Sequence, residues 1–332
     1  MARLRELILN NVGILLAGLA GGLWFVTSGA GVLVNPFSVD RLLVDDWSTH
    51  VLGWLFFRHE APHWPLGRIE GLLYPVGTTV GYTDSIPWLS VLLRPISALL
   101  PTDFQFIGPF LLGAFVLAGA AGAWVVRAVS PRAIDQALGG ALIALLPALL
   151  FRVGHPSLCA QGLLLLPIGL LLRRAETAQQ ARRMALAGVG LCALAAGLHP
   201  YLGVMLVLVC VAIPPKLALV DKQLPRSVAA GAMVAMPAAA LLLFFCFGYF
   251  IGGTERQLGT FGDFSADLGT FVNPMNYSRW VAARPQGPFQ YEGFAYLGVG
   301  MLTAVGASVI SLAVQHRRAR ELPWRRVLPL AP

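Results

Sequence analysis

Long apolar runs separated by short polar stretches make up most of this chain. The runs predict membrane-spanning helices, because a helix needs roughly 20 apolar residues to cross ~30 Å of hydrocarbon and the alternating pattern of a β-barrel is absent. The predicted spans are residues 7–27, 104–126, 137–151, 158–172, 185–198, 202–219, 228–251 and 293–314. We therefore expect an all-α polytopic membrane protein with about eight transmembrane helices, in which residues 1–332 form a single transmembrane domain.

Two long polar intervals interrupt this pattern, at residues 28–103 and 252–292. The first contains Val39–Pro87, which holds six of the 16 acidic residues and three of the six histidines. Within it, apolar residues recur at helical spacing over Asp46–Arg58 and predict a helix lying on the membrane surface. Ile86–Leu100 is apolar, but it is short for a span and carries an Arg-Pro pair in its middle. We interpret it as a second interfacial helix, with a short span as the alternative.

The distribution of charge orients the predicted spans. Most basic residues lie in the short polar stretches on one side of the predicted membrane, the side on which Arg3 and Arg5 precede the first span. Because Lys and Arg concentrate on the cytoplasmic side, we expect a cytoplasmic N-terminus and both long loops outside. The chain is 57% hydrophobic and 12% charged, whereas soluble proteins are about 25% charged. The bilayer is therefore a predicted partner, and the net charge of +8 does not indicate nucleic-acid binding.

Carboxylates of the first outer loop are the predicted catalytic groups. Asp45 and Asp46 come soon after the first span. Two adjacent carboxylates can bind a divalent cation, and one can act as a general base that takes a proton from a hydroxyl acceptor. Asp84, in the string GYTDSIPW, is predicted to bind substrate in the same cavity. For all three, capping of the following helix is the alternative.

Predicted substrate-binding residues also occur at the outer ends of later spans. Arg152 and His155 lie in RVGHPSL, His199 and Tyr201 lie in GLHPYLG, and Glu292 precedes the last span in YEGFAYLG. An arginine suits a phosphate through its planar bidentate fork. Contact with lipid headgroups is the alternative for the arginine.

The remaining histidines and the cysteines carry weaker signals. We interpret the first-loop histidines as solvated or hydrogen-bonding groups, with a metal site as the alternative; they are His50, His59 and His63. The four cysteines are scattered in apolar runs without a CxxC motif, which is typical of small packing residues.

The order of these features resembles that of the GT-C integral-membrane glycosyltransferases. The shared layout is a cytoplasmic start, one span, a large first outer loop with acidic residues after the span, a surface helix, and a span that reaches a basic inner turn, here GAWVVRAVSPR. An outward span then ends in an arginine-containing turn, LLPALLFRVGHPSL. The motifs DDWSTH, GYTDSIPW, RVGHPSL, GLHPYLG and YEGFAYLG are similar to those of a group of bacterial membrane proteins with this architecture.

The resemblance implies transfer of a sugar from a polyprenyl-phosphate donor to an acceptor on the outer face of the bacterial inner membrane. Asp45 or Asp46 matches the position of the family's first-loop carboxylate, which serves as base or metal ligand. Arg152 corresponds by position to a contact with the donor phosphate. The chain departs from the family in lacking its Asp-Glu pair and its His-Pro-Pro string. The resemblance does not specify the acceptor or a requirement for a metal.

Two other functions remain open on the sequence. One is a transporter or flippase for lipids or lipid-linked saccharides, although few ionisable residues lie in mid-span positions. The other is a non-catalytic membrane scaffold with the same fold. The ending PWRRVLPLAP resembles the approach to another span, so we expect either an N-terminal portion of a longer protein or a short relative of one.

Overall fold

The computed structural model describes residues 2–251, 264–287 and 289–319. Most of these residues are helical. The α-helices are α1 (Ala2–Thr27), α2 (Asp45–Phe57), α3 (Pro87–Leu93), α4 (Ile107–Val126), α5 (Ala133–Ala144), α6 (Pro147–Phe151), α7 (Leu165–Leu172), α8 (Ala178–Ala196), α9 (Pro200–Cys210), α10 (Ile213–Pro215), α11 (Arg226–Cys246) and α12 (Gly298–Ala319).

Shorter elements connect these helices. The 3-10 helices are Ala30–Val34, Arg94–Leu99, Arg152–Gly154, Pro156–Leu164, Leu268–Phe271 and Gln290–Gly293, and Lys216–Val220 forms a π-helix. Two short strands, β1 (Arg68–Ile69) and β2 (Thr78–Thr79), pair antiparallel with Arg68 opposite Thr79.

Six helical segments within the described residues are long and apolar enough to cross a membrane. They are Leu9–Thr27, Ile107–Val126, Ala133–Gly154, Pro200–Val220, Arg226–Cys246 and Gly298–Gln315, and Pro156–Leu172 is a shorter apolar helix. The chain is thus mostly helical, with the apolar helices of a multi-pass membrane protein. The count of eight spans, the N-terminal orientation and the single transmembrane domain stay predictions.

Several predicted spans have different bounds, and the largest change is at the start of the one predicted at 185–198. The segment predicted at 185–198 belongs to α8, which begins at Ala178 because the side chain of Thr177 caps it by accepting a hydrogen bond from the Gln180 amide. The first turns of α8 therefore include Arg182 and Arg183, and α8 is not among the six long apolar segments.

The segment Ile86–Leu100 does not form one continuous helix. It consists of α3, seven residues long, followed by the 3-10 helix Arg94–Leu99, and neither part reaches the length of a span. The short-span alternative is therefore not supported.

By its internal contacts the chain divides into two compact units. The first comprises Met1–Ala144 and Arg152–Gly253, and the second comprises Leu145–Phe151 and Thr254–Pro332. Within the second unit, the aromatic rings of Phe151, Tyr277 and Phe294 pack on one another with centroids 4.9 to 5.8 Å apart.

Small residues allow close helix packing in the first unit. A Cβ on Gly119 of α4 would lie 2.1 Å from the carbonyl oxygen of Ala17 in α1, and one on Gly21 of α1 would lie 2.2 Å from the carbonyl oxygen of Phe115 in α4. Such distances are below any van der Waals contact, so only glycine fits. This is how membrane helices approach when lipid supplies no hydrophobic drive for association.

Residues 97–102 are fixed to the end of α2 by buried groups. Val51, Trp54 and Phe57 are fully buried, so one face of α2 packs within the protein, whereas Phe56 is 40% exposed. At the end of α2 the Arg58 guanidinium donates to four backbone carbonyls, those of Ser97, Leu100, Pro101 and Thr102, at 2.7 to 3.0 Å.

Candidate active site

Asp84 is the centre of a polar cluster in the first unit. Its Oδ2 accepts a hydrogen bond of 2.6 Å from the Ser157 hydroxyl, whereas its Oδ1 is buried and has no hydrogen-bond partner among the described residues. The side chain is only 18% exposed. Burial, partly offset by the Ser157 hydrogen bond, raises the pKa of Asp84 to about 7. This carboxyl therefore exchanges its proton near neutral pH.

The backbone around Asp84 is held in an unusual conformation. Asp84 has φ 52° and Ile86 has φ 49°, in the left-handed region that side-chain-bearing residues seldom adopt. The turn is held by the Ser85 hydroxyl, which donates to the carbonyl of His50 at 2.7 Å. A Cβ on Gly53 would lie 2.1 Å from the hydroxyl oxygen of Ser85, so α2 packs directly on this turn.

His50 of α2 lies against Asp84. Its Nδ1 is 3.0 Å from the Asp84 backbone carbonyl and 3.7 Å from Oδ2 of the same residue. A carbonyl only accepts hydrogen bonds, so Nδ1 carries the proton and Nε2 of the neutral ring has a free lone pair. The side chain is 5% exposed, and Nε2 has no partner within the described part of the chain. Burial lowers the pKa of His50 and keeps the ring neutral.

His199 approaches Asp84 from α9. It is the N-cap of this helix, and its Nδ1 accepts a hydrogen bond of 3.0 Å from the Tyr201 amide. In the neutral ring the proton is therefore on Nε2, which lies 3.8 Å from Oδ2 of Asp84. The pKa of His199 is lowered to about 4, mainly by burial and to a smaller extent by the charges of the nearby His50 and His155. Nε2 is too far from Oδ2 for a direct hydrogen bond.

A second acidic residue and a third histidine lie near this cluster. His155 Nε2 is 3.8 Å from Oδ2 of Asp46, whose side chain is 72% exposed. The charge of His155 lowers the pKa of His50 and that of Asp46 raises it, although burial has the larger effect. The Trp47 indole donates to the Val153 carbonyl at 2.7 Å, which holds the start of α2 on the turn that carries His155.

Tyr249 adds a further buried polar atom. A Cβ on Gly81 would lie 2.9 Å from the Tyr249 ring, and the ring is 6.4 Å from that of Tyr82. The Tyr249 hydroxyl has no partner among the described residues. Burial raises the pKa of Tyr249, and the charge of Asp84 raises it further.

The structure brings together four of the predicted site residues, which are Asp46, Asp84, His155 and His199. The first two residues of α2 are Asp45 and Asp46, which are both exposed. The N-cap of α2 is Val44, so neither Asp45 nor Asp46 caps it. The N-cap of α3 is Ile86, so Asp84 does not cap that helix, and the capping alternatives for the three aspartates are wrong. The carboxylates of Asp45 and Asp46 lie in the first turn, where negative charge is favourable.

Other predicted residues occupy different surroundings. Tyr201 is 65% exposed and its ring packs edge-on against His199 at 4.8 Å between centroids. Arg152 lies in the turn Arg152–Gly154, and its carbonyl accepts from the His155 amide. Glu292 belongs to the second unit, in the 3-10 helix Gln290–Gly293. The substrate-binding roles of these residues stay predictions.

No group of three or more His, Cys, Asp or Glu side chains that could hold a metal ion occurs in the described ranges. A divalent cation at Asp45 and Asp46 stays a prediction.

Two residues of the cluster were not among the predicted site residues. His50 lies four residues after Asp46 on α2, and this spacing places both on one face of the helix, a signal available in the string DDWSTH. Ser157 lies in the motif RVGHPSL, two residues after His155, but nothing in this string indicates that the serine contacts a carboxylate.

Together these features define a helical membrane protein with a buried aspartate beside two neutral histidines, outside its long apolar helices. A family model described as "Domain of unknown function (DUF6311)" matches residues 18–332, and the chain belongs to this family. No curated protein and no solved structure matches the chain.

Proposed function

We propose that this protein is a membrane glycosyltransferase that moves a sugar from a polyprenyl-phosphate donor to an acceptor hydroxyl at the extracytoplasmic face. Asp84 is the general base. The observation that carries the proposal is a buried carboxyl outside the long apolar helices, with a pKa of about 7 and one oxygen without a partner.

The chemistry of Asp84 suits this reaction. A general base works best when its pKa lies near the operating pH, because it is then both largely ionised and basic enough to take a proton. The acceptor hydroxyl gives its proton to Asp84 as its oxygen bonds to the anomeric carbon of the sugar. The bond from that carbon to the phosphate oxygen breaks, and the polyprenyl phosphate leaves as an anion.

The remaining predicted residues have roles around this base. Arg152 is the predicted contact for the donor phosphate, where a guanidinium stabilises the charge that develops on the leaving group. Asp46 is near the histidine cluster through His155, at 3.8 Å, and Asp45 precedes it on α2. In this proposal Asp84 is the primary base, and Asp45 and Asp46 are tested beside it.

A glycan profile of the cell envelope tests the proposal. A strain lacking the gene is complemented with the wild type or with Asp84→Asn, Asp45→Asn or Asp46→Asn at equal membrane abundance. The matched control is Asp103→Asn, an exposed carboxylate of the same outer segment. We expect Asp84→Asn to lose one glycan species that the control retains. A full profile from Asp84→Asn would refute the role of this carboxyl as base.

A proton-coupled transporter or flippase of lipid-linked saccharides is the second candidate. It is favoured by the same carboxyl, because a group with a pKa of about 7 exchanges protons within the physiological range. Protein reconstituted in liposomes with an imposed pH gradient separates the two functions. Movement of a polyprenyl-linked saccharide between leaflets, with no new glycosidic bond, would favour the transporter.

A further inference from the structure

The buried polar atoms around Asp84 leave a defined set of hydrogen bonds unmade. Oδ1 of Asp84 and Nε2 of His50 are buried and unpartnered among the described residues. Nε2 of His199 lies 3.8 Å from Oδ2 of Asp84, beyond hydrogen-bond distance. A buried polar atom without a partner costs free energy, so such atoms mark places where a ligand or water belongs.

Backbone contacts decide which of these atoms donate and which accept. His50 uses Nδ1–H toward the Asp84 carbonyl, so its Nε2 is an acceptor. His199 uses the Nδ1 lone pair toward the Tyr201 amide, so its Nε2–H is a donor. Each backbone partner has one role only, which leaves each neutral ring in one tautomer. Asp84 and the two rings therefore offer two acceptors, on Asp84 and His50, and one donor, on His199, and the Tyr249 hydroxyl near Asp84 can act as either.

This pattern excludes several kinds of ligand. A metal ion needs lone pairs, but His199 presents N–H, and the described residues contain no set of three ligands. A phosphate is disfavoured because its negative charge would lie against the carboxylate of Asp84. An ammonium group can donate to Asp84 and His50, but it has no lone pair for the N–H of His199. A hydroxyl group both donates and accepts, so a pair of hydroxyls supplies the two donors and the one acceptor that these three atoms require.

We propose that the site binds the neutral diol of a sugar or polyol, whose hydroxyls donate to Asp84 Oδ1 and His50 Nε2 and accept from His199 Nε2–H. The inference names the acceptor class of the proposed transferase and so rests on that function. His50 and His199 are positioning residues: they hold the hydroxyl oxygen while Asp84 takes its proton.

Ligand binding can be measured without transfer. Purified protein in nanodiscs is examined by saturation-transfer NMR with the methyl glycosides of glucose, galactose and mannose, with myo-inositol, and with methylammonium. Inorganic phosphate and Zn²⁺ are examined by the shift that each causes in the thermal unfolding midpoint. We expect a signal from at least one glycoside or from inositol. No signal from any polyol, or stabilisation by phosphate or Zn²⁺ alone, would overturn the proposal.

Substitution by asparagine removes the hydrogen-bonding role of Nε2 in each histidine and keeps that of Nδ1. In His199→Asn the shorter side chain still accepts from the Tyr201 amide and caps α9, but the Nε2–H donor is lost. In His50→Asn the amide still donates to the Asp84 carbonyl, but the Nε2 acceptor is lost. Both variants are expected to fold and to weaken polyol binding at least tenfold, whereas the exposed His59→Asn binds as the wild type does. Unchanged binding in both site variants would overturn the proposal.

The tautomers can also be read directly. ¹⁵N-histidine spectra, assigned by loss of signals in the two variants, should show His50 protonated on Nδ1 and His199 on Nε2 at neutral pH. The opposite tautomer, or a charged ring, would overturn the donor and acceptor pattern. If the wild type binds no polyol but Asp84→Asn loses its glycan species, this inference alone is refuted. If the wild type binds a polyol but Asp84→Asn keeps the full glycan profile, the proposed function is refuted.

Discussion

Asp84→Asn is expected to stabilise the protein above neutral pH while it removes activity. The cause is the cost of ionising a buried carboxyl. The pKa of Asp84 is raised from 3.8 to about 7, so between these values the folded protein binds this proton and the unfolded chain does not. The stability that Asp84 contributes is therefore fully present below pH 3.8 and is lost as the pH rises through about 7.

The magnitude follows from the size of the shift. One pKa unit corresponds to about 1.4 kcal/mol, so a shift from 3.8 to about 7 corresponds to about 4 kcal/mol at pH 8. Asparagine has nearly the same shape, does not ionise, and keeps a carbonyl oxygen for the Ser157 hydroxyl. We expect the variant to be more stable than the wild type at pH 8 by up to about 4 kcal/mol, and equal to it within about 1 kcal/mol at pH 4.

Thermal unfolding of the two proteins in nanodiscs, followed from pH 4 to pH 8, measures this difference. The histidines have the opposite pH dependence, because the pKa values of His50 and His199 are lowered and the stability they contribute is lost as the pH falls below 6.5. Both proteins contain these histidines, and their contribution differs between the two proteins only through the charge of Asp84, whose Oδ2 lies 3.7 Å from His50 Nδ1 and 3.8 Å from His199 Nε2. Asp103→Asn serves as the control and should show no such trend. A difference between wild type and Asp84→Asn that does not change with pH would refute the reasoning.

Three substitutions test the packing of the first unit, each by the change in thermal unfolding midpoint and in yield from the membrane. Gly119→Ala should destabilise α1 against α4 by about 1–3 kcal/mol, whereas Gly113→Ala on the same helix, with open space at its Cβ, should not; equal effects would contradict the packing. Arg58→Lys should lower the free energy of unfolding by at least about 2 kcal/mol, because an ammonium cannot reach four carbonyls. An unchanged stability would contradict the role of these four hydrogen bonds. Asp221→Asn should cost about 3–5 kcal/mol, because it leaves the Lys216 ammonium, 9% exposed, without its carboxylate at 2.7 Å; a smaller loss than for Arg58→Lys would contradict this ranking.

The pattern of apolar residues predicts the long helices well and their ends less well. Apolar length alone identifies the segments around α1, α4, α9 and α11, because lipid-facing helices are apolar on all sides. The start of α8 is missed because its first turns are charged and its beginning depends on the Thr177 cap. The split of Ile86–Leu100 follows from the Arg-Pro pair, which the sequence shows.

The site could be predicted in part. Asp84 and His199 each stand out as polar groups at the ends of apolar segments, and this makes them candidates individually. That they meet depends on the packing of α2 and α9 around the turn at Asp84, which no local pattern encodes. The tautomers of His50 and His199 depend on backbone contacts, with the Asp84 carbonyl and the Tyr201 amide, and these are visible only in the folded chain.

The central claim is that Asp84 is a base available near neutral pH. The most direct measurement is a ¹³C NMR titration of protein labelled at the aspartate carboxyl carbon, in nanodiscs, with the Asp84 signal assigned by its absence in Asp84→Asn. The account predicts a midpoint near pH 7 for this carboxyl. A midpoint near the ordinary value of 3.8 would contradict it, because the carboxylate would then be too weak a base for the proposed proton transfer.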